Sequence, residues 1–412
     1  MEWKEVTLGE ISSKIGDGLH GTPKYDDEGP YYFINGNNLN CGKIIIKDDT
    51  KRVGIDEFVK NQKELNEQTL LVSINGTIGN VAKYNNEPCI LGKSACYINV
   101  IKEVDKEFIY YVLTSANFKR NITNEATGTT IKNVSLKQMR EYKFNIPCNI
   151  ADQHRIASIL TSLDRKIELN NKINADLEEM AQAIFKNWFV DFEPFKDGKF
   201  VDSELGMIPE GWKVGKITDI DCLITDYVSN GSFASLKQNV HLYEKKEYAQ
   251  FIRNTDLKTN TFSVYVDKHS YDFLSKSTLY GNEIIISNVG DVGSVHLCPK
   301  LDIPMTLGNN IIMLRPNDKE YNYFLYLWFK YFSGQGLIQG IKGGSAQPKF
   351  NKTDFKNLPL LIPSFEIIER SYWIFESIFS ILSSNVKENS RLSLLRDTLL
   401  PRLMSGEIEI PE

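Results

Sequence analysis

Residues 160–188 read LTSLDRKIELNNKINADLEEMAQAIFKNW, and they place Leu160, Leu163, Ile167, Asn170, Asn174, Leu177, Ala181, Ile184 and Trp188 at alternating spacings of three and four. That is the period of a helix laying one seam against a partner helix. The same pattern returns 215 residues later as Phe375, Ile378, Leu382, Asn385, Asn389, Leu392, Arg396, Leu399 and Leu403. Both copies break the apolar seam with two asparagines at the same central places. A polar residue in a seam costs stability but rejects slipped registers, because it must meet another polar group. The matched pairs predict that helix one packs on helix two. A helix of about 40 residues is about 60 Å long, so a pair of them would act as a rigid spacer.

Working outward, the rest of the chain is also written twice. LVSINGTIGNV (71–81) aligns with IISNVGDVGSV (285–295), sharing Ser73/Ser287, Gly76/Gly290, Gly79/Gly293 and Val81/Val295. FINGNNL (33–39) resembles FIRNTDL (251–257), and Leu91-Gly92 recurs as Leu307-Gly308. Asp105-Lys106-Glu107 recurs as Asp318-Lys319-Glu320, and each half opens on a tryptophan, Trp3 or Trp212. Self-similarity in a constant order marks duplicated domains. Within each half, Ile44–Ile46, Leu70–Ile74, Ile284–Ile286 and Ile311–Leu314 read as strands between Gly, Asn and Asp turns. Phe108–Leu113 and Tyr323–Phe332 read as helices. Two related domains at a fixed distance suit a split target on DNA, where half-sites on one face lie about 34–36 Å apart per turn.

Composition narrows the classes. The 412 residues are 42% hydrophobic and 25% charged, as expected for two or three globular domains. No apolar run reaches membrane-spanning length, and the opening MEWKEVTLGE carries no signal-like core, so a cytoplasmic protein is expected. The six scattered cysteines form no CxxC pair and predict reduced thiols. A net charge of −5 gives no global pull on nucleic acid, so any DNA grip must be local or shared with a partner. Neither a GxxxxGK[ST] loop nor an Asn/Asp-Pro-Pro-Phe/Tyr motif is present. The histidines show no metal-ligand spacing. No catalytic residue, metal site or resident cofactor is therefore expected.

The chain resembles the specificity subunits of type I restriction-modification systems. AQAIFKNWFVDFEPF with its continuation KDGKFVDSELGMIPEGW (181–212) and LRDTLLPRLMSGEI (395–408) carry the resemblance, and GDGLHGTPKY (16–25) resembles a Gly-Thr-Pro segment frequent in that family. IPSFEIIERSYWI (362–374) departs from the usual start of the second conserved helix. The resemblance implies an α+β fold with two tandem mixed α/β target-recognition domains. Each is followed by a long conserved helix, and the two helices pair as an antiparallel coiled-coil spacer with pseudo-twofold symmetry. The expected divisions are recognition domain one at 1–147, helical region one at 148–192, a linker at 193–211, recognition domain two at 212–363, helical region two at 364–405 and a tail at 406–412. The resemblance also implies a non-catalytic subunit that reads bipartite double-stranded DNA and bridges two adenine-N6 methyltransferase subunits, with two restriction-translocase subunits in the full assembly. S-adenosylmethionine, ATP and magnesium would belong to those partners. The competing reading is a non-catalytic scaffold in which two duplicated α/β domains bind proteins.

Base-reading positions are expected where the halves align but differ in polar identity. In the first half these are Asn35, Asn37, Asn38, Asn75, Thr77, Lys93, Ser94, Thr129, Thr130, Lys132 and Asn133, with His20, Thr22, Lys24 and Tyr25 from the Gly-Thr-Pro loop. In the second they are Arg253, Thr255, Asp256, Asn288, Asp291, Asn309, Asn310, Ser345, Gln347 and Lys349, with Asn230, Ser232 and Lys237 from the loop at 225–237. Arg253 is the first choice, because a guanidinium fork suits guanine. Asp291 lies opposite Thr77, so it is not chemistry needed in both halves, although a base-reading position could vary in this way. The plain alternative is that Asn, Gly, Asp and Ser simply satisfy turns. Helix pairing is expected from Leu160, Leu163, Ile167, Asn170, Asn174, Leu177, Phe375, Ile378, Leu382, Asn385, Asn389 and Leu392. The surplus of large apolar groups at Phe185, Trp188, Phe189 and Phe192, and at Leu399, Leu400, Leu403 and Met404, predicts two related docking faces for methyltransferase subunits.

Overall fold

The computed structural model describes residues 1–126, 132–344, 346–408 and 410. The chain folds into two units, one made of Met1–Asn170 with Lys387–Glu412 and the other of Asn171–Val386. Each 40-residue helix, Ile150–Phe189 and Phe365–Met404, therefore gives one part to each unit.

Alternating and continuous β-branched runs build the same sheets twice. In the first unit an antiparallel sheet orders Ser12–Asp17, Ala95–Val100, Thr69–Ser73 and Val81–Lys83. The second unit orders Cys222–Asp226, Ile311–Pro316, Ile284–Ser287 and Val295–Leu297 in the same way. Beside each lies a sheet with one parallel pair. Tyr31–Ile34 runs along Cys89–Leu91 with Ile34 opposite Leu91, and Ala249–Ile252 runs along Met305–Leu307 with Ile252 opposite Leu307. Each unit also pairs an entering with a leaving strand, Trp3–Thr7 with Lys143–Pro147 and Lys213–Lys216 with Pro359–Ile362. Two of the expected elements differ. Only Lys43–Ile44 is strand, because the Ile45 amide turns to the Asn38 carbonyl, leaving Ile45 and Ile46 exposed. The helix expected over 323–332 ends at Lys330, where Tyr331 is extended and Phe332 has φ 54° before a second helix begins.

Within each unit the long-helix segments pair antiparallel. In the first, Asp164 accepts from Arg396 Nη1 (2.8 Å), Lys166 meets Glu388 (3.2 Å) and Asn170 Nδ2 donates to Asn389 Oδ1 (2.9 Å) and Glu388 Oε2 (2.7 Å). Numbers rise on one helix as they fall on the other. In the second, Asn385 Nδ2 donates to Asn174 Oδ1 at 2.8 Å, and the rings of Phe185 and Phe375 lie 6.4 Å apart. Asn385 and Asn389 are the repeat equivalents of Asn170 and Asn174, so the two polar pairs are one pair written twice. Leu160, Phe375, Ile378 and Leu382 are buried, while Leu163, Ile167, Leu177 and Leu392 are half-buried along the same seam.

The aromatics after the seam are core. Phe185 and Phe189 are 0% and 1% exposed. Phe185 lies 5.0 Å from Phe189, 5.7 Å from Phe324 and 5.4 Å from Phe332 by ring centroid. Phe189, Phe192 and Phe195 surround Trp212, and the half-buried Trp188 lies under the Arg370 guanidinium. In the first unit Leu400 and Leu403 are buried with Phe108, and Leu399 and Met404 pack half-buried against the same core. The expected docking faces are corrected for Phe185, Phe189, Leu400 and Leu403, which burial inside the units consumes, while Trp188, Phe192, Leu399 and Met404 stay half-buried at the margins of the same cores.

Phe185→Ala should destabilise the isolated chain by about 3–5 kcal/mol in urea unfolding, since it empties a fully buried ring site; a pure docking residue would leave the isolated chain unchanged. Asn170→Ala should cost about 1–3 kcal/mol by leaving the groups it serves without their donor. Asn170→Leu combined with Asn389→Leu should recover much of that loss; no recovery would argue against the buried polar pair as its source.

Candidate nucleic-acid interface

The hairpin joining Thr69–Ser73 to Val81–Lys83 turns on two glycines with φ of +73° (Gly76) and +87° (Gly79), a region L side chains rarely adopt. The Gly79 amide returns to the Ser73 carbonyl at 2.9 Å. Four other stretches are tied to this hairpin. The Ile74 amide donates to the Ser94 carbonyl (3.0 Å), the Val134 amide to Ile74 (2.9 Å) and the Gly76 amide to Lys132 (3.2 Å). Ser94 Oγ accepts from the Gly36 amide (2.8 Å) and donates to Asn35 Oδ1 (3.0 Å). The Lys93 amide donates to the Leu19 carbonyl at 3.0 Å. Loops near residues 19, 36, 75, 93 and 133, far apart in sequence, thus form one surface. It is tightly packed: a Cβ on Gly18 would lie 2.0 Å from the Leu91 carbonyl oxygen.

The second unit repeats the main-chain bonds of the hairpin and its neighbours. Gly293 donates to Ser287 (2.9 Å), Asn288 to Asn310 (3.1 Å), Phe350 to Asn288 (3.1 Å) and Gly290 to Pro348 (2.9 Å), with Gly290 and Gly293 at φ +77° and +88°. Gly308 donates to Ile252 and Gly92 to Ile34, both at 2.8 Å. All of these groups are main-chain atoms, so side chains on the surface can change without disturbing it. Thr77 becomes Asp291, Ser94 becomes Asn310, Gly36 becomes Asn254 and Asn40 becomes Lys258.

Several expected contact residues stand outward on this surface or its flanking loops. His20, Thr22, Lys24, Tyr25, Asn37, Thr77, Lys93 and Lys132 are exposed in the first unit. Thr255, Asp291, Asn309, Asn310, Gln347, Lys349 and Lys237 are exposed in the second. Exposed amides, hydroxyls and lysines of this kind can meet base edges and phosphates. Asn75 and Asn133 are half-buried against each other, Asn75 Nδ2 donating to Asn133 Oδ1 at 3.2 Å. Asn35 and Ser94 are half-buried as partners, and Asn288 is half-buried with its main chain engaged on both sides. Thr129, Thr130 and Ser345 lie outside the described residues.

Others are engaged by their own turns, and the expectation is corrected for Asn38 and Asp256, which are turned inward. Asn38 and Asp256 are 5% and 2% exposed, because each accepts the amide three residues before it, Asn35 (3.0 Å) or Arg253 (2.9 Å), and caps a helical turn. Arg253 folds back on the same carboxylate, with Nε to Oδ2 at 2.9 Å and Nη2 to Oδ1 at 2.6 Å. That pair uses one edge of the guanidinium, Nε with Nη2, and leaves the Nη1 donors of the 36%-exposed side chain to face outward contacts. Asn230 gives its amide to the Tyr227 carbonyl and Ser277 Oγ and accepts from the Lys276 amide. Ser232, though exposed, accepts the Ser235 amide as a helix cap.

Two residues missed by sequence reasoning belong to the second surface. Lys258 Nζ lies 2.7 Å and Asn254 Nδ2 3.0 Å from Asp291 Oδ2. Lys258 holds the Asp291 carboxyl below its ordinary range. The aligned change of Gly36 to Asn254 and Asn40 to Lys258 was the available signal.

Known proteins agree with this architecture. A family profile described as the type I restriction modification DNA specificity domain matches residues 1–179 and again 209–393. The specificity subunit of the type I restriction enzyme MjaIX from Methanocaldococcus jannaschii is 27% identical over 95% of this chain and 87% of its own length. The HindI specificity subunit of Haemophilus influenzae is 27% identical over 73% of this chain and 77% of its own. In fold, the crystal structure of a type I S subunit from M. genitalium superposes with a TM-score of 0.60 at 19% identity, covering 98% of this chain and 96% of that one. With both halves matched by that profile, the chain belongs to the type I restriction-modification DNA specificity family and carries two target-recognition domains.

Proposed function

We propose that this chain reads a bipartite double-stranded DNA target for a type I restriction-modification complex, with one half-site per recognition domain. It bridges two adenine-N6 methyltransferase subunits and, in the restricting assembly, two nuclease-translocase subunits, and it works in the cytoplasm. S-adenosylmethionine is bound by the methyltransferases, and ATP and magnesium by the motor subunits. The observation that carries the reading is the duplicated main-chain lattice bearing unlike polar side chains at equivalent places. Such a surface keeps its shape while its hydrogen-bonding pattern differs between domains, which is what reading two different half-sites requires.

For the methyltransferase contacts, the long helices offer a different apolar pair from the one expected. Met180 and Leu395 are 52% and 46% exposed and occupy equivalent positions in the two copies. Exposed apolar side chains repeated at equivalent places suit two copies of one partner.

Methylome sequencing of cells expressing this chain with its cognate methyltransferase should show a split motif with a fixed gap. A complex that forms yet methylates without such a motif would contradict the reading. Met180→Asp and Leu395→Asp should each remove about one of two bound methyltransferase subunits, seen by native mass spectrometry, while the melting temperature of the free chain stays unchanged. Full occupancy in both variants would place docking elsewhere.

A further inference from the structure

The hairpin tip of the second recognition domain carries a group that its twin lacks. Asp291 follows Gly290, whose left-handed backbone has open space around it, and the tip is anchored by the Gly290 amide on the Pro348 carbonyl at 2.9 Å. The carboxylate is exposed, with its side chain 48% accessible. Two groups from the neighbouring helical turn fix its direction: Lys258 Nζ at 2.7 Å and Asn254 Nδ2 at 3.0 Å, both on Oδ2. The first domain builds the same hairpin and the same main-chain bonds with Thr77 in place of Asp291, and its residues aligned with Asn254 and Lys258 are Gly36, in a short 3-10 turn, and Asn40, in a strand. The trio is therefore not needed to make the scaffold. An oriented, exposed carboxylate on a surface otherwise furnished with amides and lysines is a chemical choice at one point.

Resting on the DNA-reading function proposed above, we infer that Asp291 selects a base bearing an exocyclic amino group, cytosine or adenine, at one position of the half-site read by the second domain. An ionised carboxylate only accepts hydrogen bonds. In the major groove cytosine N4 and adenine N6 donate, whereas guanine O6 and N7 and thymine O4 accept and would face it oxygen to lone pair. Lys258 supports this in two ways: it offsets the carboxylate's repulsion of nearby phosphates, and it keeps the group charged. Lys258 is thus a positioning residue, and Asp291 is the group that meets the base.

The test uses the full chain in complex with its methyltransferase and reads the methylation motif for wild type, Asp291→Asn, Asp291→Ala and Lys258→Met. The wild-type motif should hold cytosine or adenine at one position that both Asp291 variants relax, by about 5- to 150-fold in preference. All other positions, including the entire half-site read by the first domain, should be unchanged, and Lys258→Met should keep the same base. If Asp291 merely braces the hairpin, both Asp291 variants and Lys258→Met will lower the melting temperature alike and leave every motif position intact, which overturns the inference while the DNA-reading function stands. A wild-type complex with no split motif would remove the function and the inference together.

Discussion

Both recognition surfaces rest on a backbone amide at the mouth of a hairpin that donates to the carbonyl of a distant turn, Ile74 to Ser94 at 3.0 Å and Asn288 to Asn310 at 3.1 Å. The same residue's carbonyl accepts from a third segment, Val134 or Phe350. Three stretches of chain are thus fixed through one residue, and glycines with positive φ let the hairpin tip fold over them. Each bond contributes only about 0.5–1.5 kcal/mol net, but leaving these groups unpaired in a packed loop cluster would cost more. Because no side chain takes part in these bonds, the surface separates shape from chemistry. Thr77 and Asp291 occupy one place on one backbone and offer different hydrogen bonds.

The separation explains what was readable in the sequence. Glycines and apolar strands carry the scaffold, so Gly76/Gly290, Gly79/Gly293 and Leu91-Gly92/Leu307-Gly308 aligned and disclosed the duplicated fold. The seam asparagines were readable for a similar reason. An amide in a helix seam has few acceptable partners, and Asn170 donates to Asn389 as Asn385 donates to Asn174. Positions free to vary were legible as a set, and many of them stand outward on the surface.

What could not be read was the direction of individual side chains. Arg253 has the right chemistry for guanine, but the direction of its fork is set by Asp256, three residues later, which takes its amide and one guanidinium edge. The aligned Asn35–Asn38 pair makes the corresponding cap, so the spacing was a turn signal rather than a recognition signal. The aromatics between 185 and 195 exceed in number what a helix seam needs, and sequence alone points that excess toward a partner's surface. The excess is used by the Trp212 entrance and the buried helix Tyr321–Lys330, whose packing against Phe185 and Phe189 no local periodicity announces.

The central claim is that the two main-chain lattices present the DNA-reading faces. Hydrogen exchange on the chain in its methyltransferase complex, with and without a duplex carrying its target, tests it most directly. The account predicts slowed exchange in the hairpins 74–80 and 288–294 and in the loops tied to them, in both units, with the buried helices Lys106–Thr114 and Tyr321–Lys330 unchanged. Protection that spares both hairpins, or falls in one unit alone, would contradict it.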